Sequence, residues 1–180
     1  MSRKDAASLS LDAPAAGASD RDAGARRRIV VGVLVVVAWL AWSIGLHPLT
    51  LPDEGRYAGI AWEMLRSGDW LVPTQDGLPF FHKPPLFYWL TALSMRIFGV
   101  NAAAARFAPL LCACLAIAGV FAVTRRRAGE PVAAATALVL ATMPLLFGAA
   151  QYANLDLPVA AFIALAIVFA ADAALDLQHG

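Results

Sequence analysis

Three separated blocks place carboxylates and cations at the edges of apolar stretches: Pro52-Asp53-Glu54-Gly55-Arg56-Tyr57, His82-Lys83-Pro84-Pro85-Leu86 and Asn154-Leu155-Asp156-Leu157-Pro158. A carboxylate at such a boundary can take a proton from an incoming hydroxyl or amine, and a nearby cation can neutralise a departing phosphate. Asp53 starts a helical pattern, with Arg56 and Tyr57 at i+3 and i+4 on the adjoining turn. It has two readings, a helix cap stabilised by the helix dipole or a general base. Asp156, two residues before Pro158, has the same two. Lys83 stands between Phe80-Phe81 and Pro84-Pro85. A lone lysine there snorkels to lipid phosphates, but stiff prolines help to aim the charge, and with Arg56 it could hold a phosphate leaving group.

Other chemistries find no foothold. The chain has no G-x-x-x-x-G-K, C-x-x-C, H-E-x-x-H or G-x-S-x-G pattern, so nucleotide hydrolysis, structural zinc and serine-nucleophile catalysis are not indicated. Cys112 and Cys114 are two apart in an apolar run, point to different helix faces and read as small apolar fillers. His47, His82 and His179 do not cluster in sequence; His82 beside Lys83 is either an interfacial histidine or a metal ligand in the folded protein.

The elements that must position these residues are membrane elements. Of 180 residues, 60% are hydrophobic and 15% charged, and the mean hydropathy is +0.65, which is too apolar for a soluble domain. The net charge of +1 comes with basic residues in short flanking clusters and no basic face, so nucleic acid is not an expected partner. The expected fold class is all-α integral membrane. Residues 1–25 read as a disordered cytoplasmic tail, and residues 26–180 as a membrane domain with spans near 29–46, 107–123, 132–150 and 157–175.

An extracytoplasmic loop is expected over about 47–101. Within it, Tyr57, Ile60, Ala61, Met64 and Leu65 form one apolar stripe, which predicts an amphipathic helix along the membrane surface. Thr50-x-x-Asp53 reads as its capping box and Gly68 as its stop. The run 86–98, roughly 20 Å as a helix, is shorter than the ~30 Å hydrocarbon core and reads as interfacial or re-entrant. Arg26 to Arg28 and Arg125 to Arg127 both favour the cytoplasm, which turns the 47–101 loop and the link at Asn154 outward. That loop nevertheless carries Arg56, Arg66, Lys83 and Arg96, with Arg106 just beyond, a basic load against the topological bias that suggests anion binding.

Together the Asp-Glu-x-Arg-Tyr block, the segment SGDWLVPTQDGLPFFHKPPLFYWL and the Leu-Asp-Leu-Pro step resemble the amino-terminal part of the GT-C lipid-linked-sugar glycosyltransferases. The similarity is to the protein O-mannosyltransferases and, more closely, to the aminoarabinose transferases that modify lipid A. It implies a multi-pass enzyme of the cytoplasmic (inner) membrane whose active side is extracytoplasmic. Such an enzyme passes a glycosyl group from a polyprenyl-phosphate sugar donor to a lipid A-like or protein acceptor, by one inverting displacement. Matching positions imply Asp53 and Asp156 as catalytic residues. Arg56 and Lys83 would contact the carrier phosphate, with Tyr57 and Glu54 also counted among the donor-binding residues.

No cofactor is assigned. A divalent metal stays open in general, but some aminoarabinose transferases carry an acid where His82 stands, a departure that argues against a metal at that position. The family also implies more spans and a carboxy-terminal domain, so an incomplete copy, completed by a second polypeptide, is one expectation. A truncated, non-catalytic protein that binds a lipid phosphate or a partner subunit is the alternative to catalysis.

Overall fold

The computed structural model describes residues 15–179, so most of the expected tail lies outside the described residues. Its elements are α1 (Ala15–Ala41), α2 (Asp53–Ser67), a two-residue-per-strand hairpin of β1 (Thr74–Gln75) and β2 (Leu78–Pro79), α3 (Leu86–Phe98), α4 (Ala102–Ala128), α5 (Glu130–Thr142), α6 (Pro144–Ala150) and α7 (Asp156–His179). The chain divides into two units, residues 1–35 and 36–180. In the first, helix already begins at Ala15, ten residues before the expected end of the tail at 25.

By length and composition α4 and α7 can each cross a membrane, and the α5–α6 pair, bent by 64°, makes a third span if counted as one. This is an all-α membrane fold. Over the span expected at 132–150 the helix is bent between α5 and α6. The cause of the bend is Pro144, which has no N–H to give to the preceding turn and drives Met143 to extended angles, φ −60° and ψ 121°. The Trp39 indole donates to the Ala141 carbonyl at 3.1 Å, satisfying backbone beside the break. The Trp39 ring also packs on Phe147, centroids 5.1 Å apart.

The first expected span, 29–46, is helical only to Ala41. Beyond it the chain turns, with Ile44 N–H bonded to the Ala41 carbonyl and Leu46 N–H to that of Ser43. Carbonyl groups of residues 44, 47 and 48 are needed elsewhere, as described below.

α4 starts at Asn101, whose side chain accepts the Ala104 N–H at 2.9 Å. At its other end Arg126 and Arg127 reach Asp172 and Asp176 near the end of α7, including Arg126 Nη1 to Asp172 Oδ2 at 2.7 Å and Arg127 Nη2 to Asp176 Oδ1 at 2.6 Å. Carboxyl-terminal ends that pair must lie together, so α4 and α7 run the same way and α5–α6 returns between them. Gly119 makes the close approach possible, because a Cβ there would clash with Leu165 Cδ2. The starts of α4 and α7 therefore share the end opposite the arginines.

α2 has the expected stripe and ends as expected at Gly68, φ 73°, whose N–H bonds the Met64 carbonyl at 3.0 Å. Its apolar face is spent on protein and not on lipid. Tyr57, Ile60 and Met64 join Phe87, Tyr88 and Met95 of α3 and Ala104, Ala105 and Ala108 of α4 in one buried cluster. α3 is 13 residues long, the short apolar helix that the sequence implies, and its opposite face leaves Leu86, Leu93 and Ile97 exposed. Leu49, Phe80 and Leu155 pack on the same cluster. These residues border the three chemistry-bearing blocks, so hydrophobic packing draws all three to one place.

Candidate active site

The centre of that place is an ion pair sealed from solvent. Arg106, on the first turns of α4, and Glu54, at the start of α2, are both fully buried. Nε of Arg106 donates to Glu54 Oε1 at 2.7 Å and Nη2 to Oε2 at 2.8 Å, the bidentate geometry that a guanidinium fork favours. Its remaining hydrogens go to the carbonyl oxygens of Ile44 at 2.8 Å, His47 at 2.9 Å and Pro48 at 2.9 Å. Every donor of the guanidinium is thus used. That demand is why α1 gives way to turns: carbonyl groups inside a helix could not face Arg106.

Glu54 is equally saturated. It accepts the backbone N–H of Thr50 at 2.9 Å and its hydroxyl at 2.8 Å, and the backbone N–H of Ala153 at 2.8 Å. Burial pushes its carboxyl up, but hydrogen bonds from Arg106, Thr50 and Ala153 outweigh that and hold it at about 2. The expected capping box is corrected here, since Thr50 serves Glu54 and not Asp53. Glu54, expected among the donor-binding residues, has its side chain buried in the pair with Arg106 and bonded to Thr50 and Ala153.

The clamp aims its neighbours outward. Asp53, one residue before, pairs with Arg56 through Nη2, the side chains 47% and 34% exposed, so this pair is open to a ligand. The Arg56 guanidinium lies 5.3 Å from the Tyr57 ring centroid, and Tyr57 is edge-on to Phe87 at 5.8 Å. The Glu54–Ala153 bond pins the link before α7 against the start of α2. Asp156, exposed at the first position of α7, consequently borders the same end of the molecule as Asp53.

Lys83 is exposed on the loop before α3. With Leu71, Pro73, Phe81, His82, Pro84 and Pro85 it lines a recess of about 380 Å³. The loop is anchored by Trp89, whose indole donates to the Trp70 carbonyl at 2.6 Å, and His82 stacks on Phe80 at 4.6 Å. Arg56 lines a different recess, about 310 Å³, with Glu63, Gln75 and Asp76. The two cations thus open onto separate recesses in the described chain. Among the described residues no three His, Cys, Asp or Glu side chains gather as a metal site.

Two residues escaped sequence reasoning. Glu63 accepts the Thr74 hydroxyl at 2.7 Å and the N–H groups of Asp76 at 2.8 Å and Gly77 at 3.3 Å, fixing the hairpin turn to α2. The Thr74 bond first, with the two backbone bonds, lowers its carboxyl below the usual range. Arg106 was visible only as surplus positive charge. Its signal was its setting, Ala-Ala-Ala-Ala-Arg-Phe-Ala at the start of an apolar helix, where a cation needs an internal partner.

An open Asp–Arg pair and an exposed lysine at one end of an all-α membrane fold suit transfer of a group from a phosphate carrier. The model of the dolichyl-phosphate-mannose-protein mannosyltransferase family matches residues 82–179, and the chain belongs to that family. It is 38% identical over 133 residues, 72% of this chain and 23% of the relative, to undecaprenyl phosphate-alpha-4-amino-4-deoxy-L-arabinose arabinosyl transferase 2 of Pseudomonas fluorescens. The corresponding transferase of Pseudomonas aeruginosa strain LESB58 is 37% identical, over 72% of this chain and 24% of that protein. Among solved structures, ArnT from Cupriavidus metallidurans in the apo state is similar with a TM-score of 0.75 at 34% identity, over 81% of this chain and 27% of that one. The same protein bound to undecaprenyl phosphate gives 0.74 at 35%, over 78% and 26%. The chain thus spans about a quarter of the length of the relatives it matches.

Proposed function

We propose that this chain supplies the catalytic amino-terminal region of an inverting glycosyltransferase. The enzyme would move a 4-amino-4-deoxy-L-arabinose-type sugar from undecaprenyl phosphate to a lipid A-like acceptor on the outer side of the inner membrane. The observation that carries this reading is the Glu54 carboxylate bonded to the Ala153 N–H, which joins the start of α2 to the link before α7. Through it Asp53, Arg56 and Asp156 come to one boundary. The relatives are named for this transfer, and one similar structure holds undecaprenyl phosphate.

Asp53 takes the proton of the acceptor hydroxyl as the acceptor oxygen bonds to the anomeric carbon. The bond from that carbon to the phosphate oxygen breaks, and its electron pair leaves with the phosphate. Arg56 and Lys83, which line separate recesses in the unliganded chain, would converge on that phosphate when the carrier binds, and Asp156 acts as a second carboxylate beside the reacting groups. The outward orientation rests on the arginines at the far end of α4.

The test is transfer by the purified chain, supplied with undecaprenyl-phosphate aminoarabinose and lipid A. Product is expected, with a loss of 10²-fold or more for Asp53→Asn, on the scale of general base catalysis. Wild-type rates in Asp53→Asn would refute the assignment. Carrier binding without any transfer would favour the binding-only role.

A further inference from the structure

Tyr88 is 1% exposed, and among the described residues its hydroxyl has no hydrogen-bond partner. Beside it Arg56, whose Nη2 serves Asp53, has a buried Nε that is likewise unpartnered. Both groups flank one ring: the Arg56 guanidinium is 5.3 Å and the Tyr88 ring 6.2 Å from the Tyr57 centroid. A buried donor without an acceptor is costly, and a bound ligand group is one way in which it is completed. Here both can donate and one is charged, so the missing partner is an oxyanion.

We propose that Tyr88 is a further binding residue of this site, its hydroxyl and the Nε–H of Arg56 converging on one phosphate oxygen of the lipid carrier. The inference rests on the function proposed above. Entry is through the half-open Asp53–Arg56 pair. Movement of Arg56 from Asp53 to the phosphate exposes Tyr88 and also frees the Asp53 carboxylate to take the acceptor's proton. Burial, and the neighbouring Tyr57, push the Tyr88 phenol up to about 12 despite the opposing charge of Arg56. It therefore stays protonated, a donor, at neutral pH.

α3 carries its own controls. Thr91 and Ser94 are also buried and unpartnered, but they lie further along the helix; Ser94 is roughly 9 Å beyond Tyr88 at 1.5 Å per residue. The experiment is titration of the purified full chain with undecaprenyl phosphate, and separately with inorganic phosphate, while thermal unfolding is recorded.

Tyr88→Phe is expected to weaken undecaprenyl phosphate about tenfold, the scale of one hydrogen bond to a charged group, without lowering the melting temperature. Ser94→Ala should bind as wild type, and Tyr88→Phe should add little in an Arg56→Ala background. Tyr88-dependent binding of inorganic phosphate as well would show that the oxyanion alone suffices; dependence for the lipid only would show that the chain must dock first. Either supports the inference. Wild-type affinity in Tyr88→Phe, or an equal loss in Ser94→Ala, would overturn it and leave the proposed function standing. Failure of the wild type to bind either probe would overturn both.

Discussion

Replacing Glu54 by Leu removes the carboxylate that pairs with Arg106 and leaves a buried cation held by three carbonyl oxygens. Thr50 and Ala153 lose their acceptor in the same step. The magnitude follows from the carboxyl group itself, lowered from 4.5 to about 2. At about 1.4 kcal/mol per pKa unit this is about 3 kcal/mol of stabilisation. Removal of one partner of a buried pair costs about 3–5 kcal/mol in general, a large share of the roughly 5–15 kcal/mol that holds a domain together. Arg106→Leu should cost about as much. The double variant should lose clearly less than the sum, because no charge is left uncompensated.

The assay is thermal unfolding of the purified chain in detergent, read by circular dichroism and by proteolysis within residues 47–101. The pH dependence has a definite sign. A carboxyl whose folded pKa is depressed stabilises fully above its unfolded value, so this contribution is intact above about 4.5 and is lost as the pH falls toward about 2. The double variant should lack that component. Single variants within about 1 kcal/mol of wild type, or strictly additive losses, would refute the clamp.

Trp39→Phe keeps the ring against Phe147 but deletes the bond to the Ala141 carbonyl; a loss of about 1 kcal/mol in the same unfolding assay is expected. Gly68→Ala forces a Cβ into the left-handed region at φ 73° and should cost about 1–2 kcal/mol, with earlier proteolysis after α2. Asp172→Asn weakens the pairs with Arg126 and Arg127, which are 56% and 29% exposed. Its cost should stay below about 1 kcal/mol and shrink in high salt.

Periodicity made α2 legible, and uninterrupted apolar runs made α3, α4 and α7 so. Of the α2 stripe, Tyr57, Ile60, Ala61 and Met64 are buried and Leu65 is half-buried, and Gly68 marks its end. What could not be read was the partner of each face. The stripe of α2 meets α3 and α4, whereas an isolated amphipathic pattern reads equally well as a lipid contact. The break at Pro144 was masked because the residues on both sides are uniformly apolar. The three blocks were visible as chemistry-bearing, but the roles within the first could not be separated by spacing. Asp53 and Glu54 are adjacent carboxylates, and only the position of Arg106, 52 residues on, decides that Glu54 is sealed while Asp53 faces out.

The central claim is that the start of α2 and the start of α7 stand at one outward-facing boundary. It is tested by replacing Cys112 and Cys114 with Ala, introducing Asp53→Cys, Asp156→Cys or Arg125→Cys singly, and adding a membrane-impermeant maleimide to intact cells. Labelling at positions 53 and 156, with position 125 protected until lysis, is the predicted result. Modification of position 156 only after lysis would contradict the shared site.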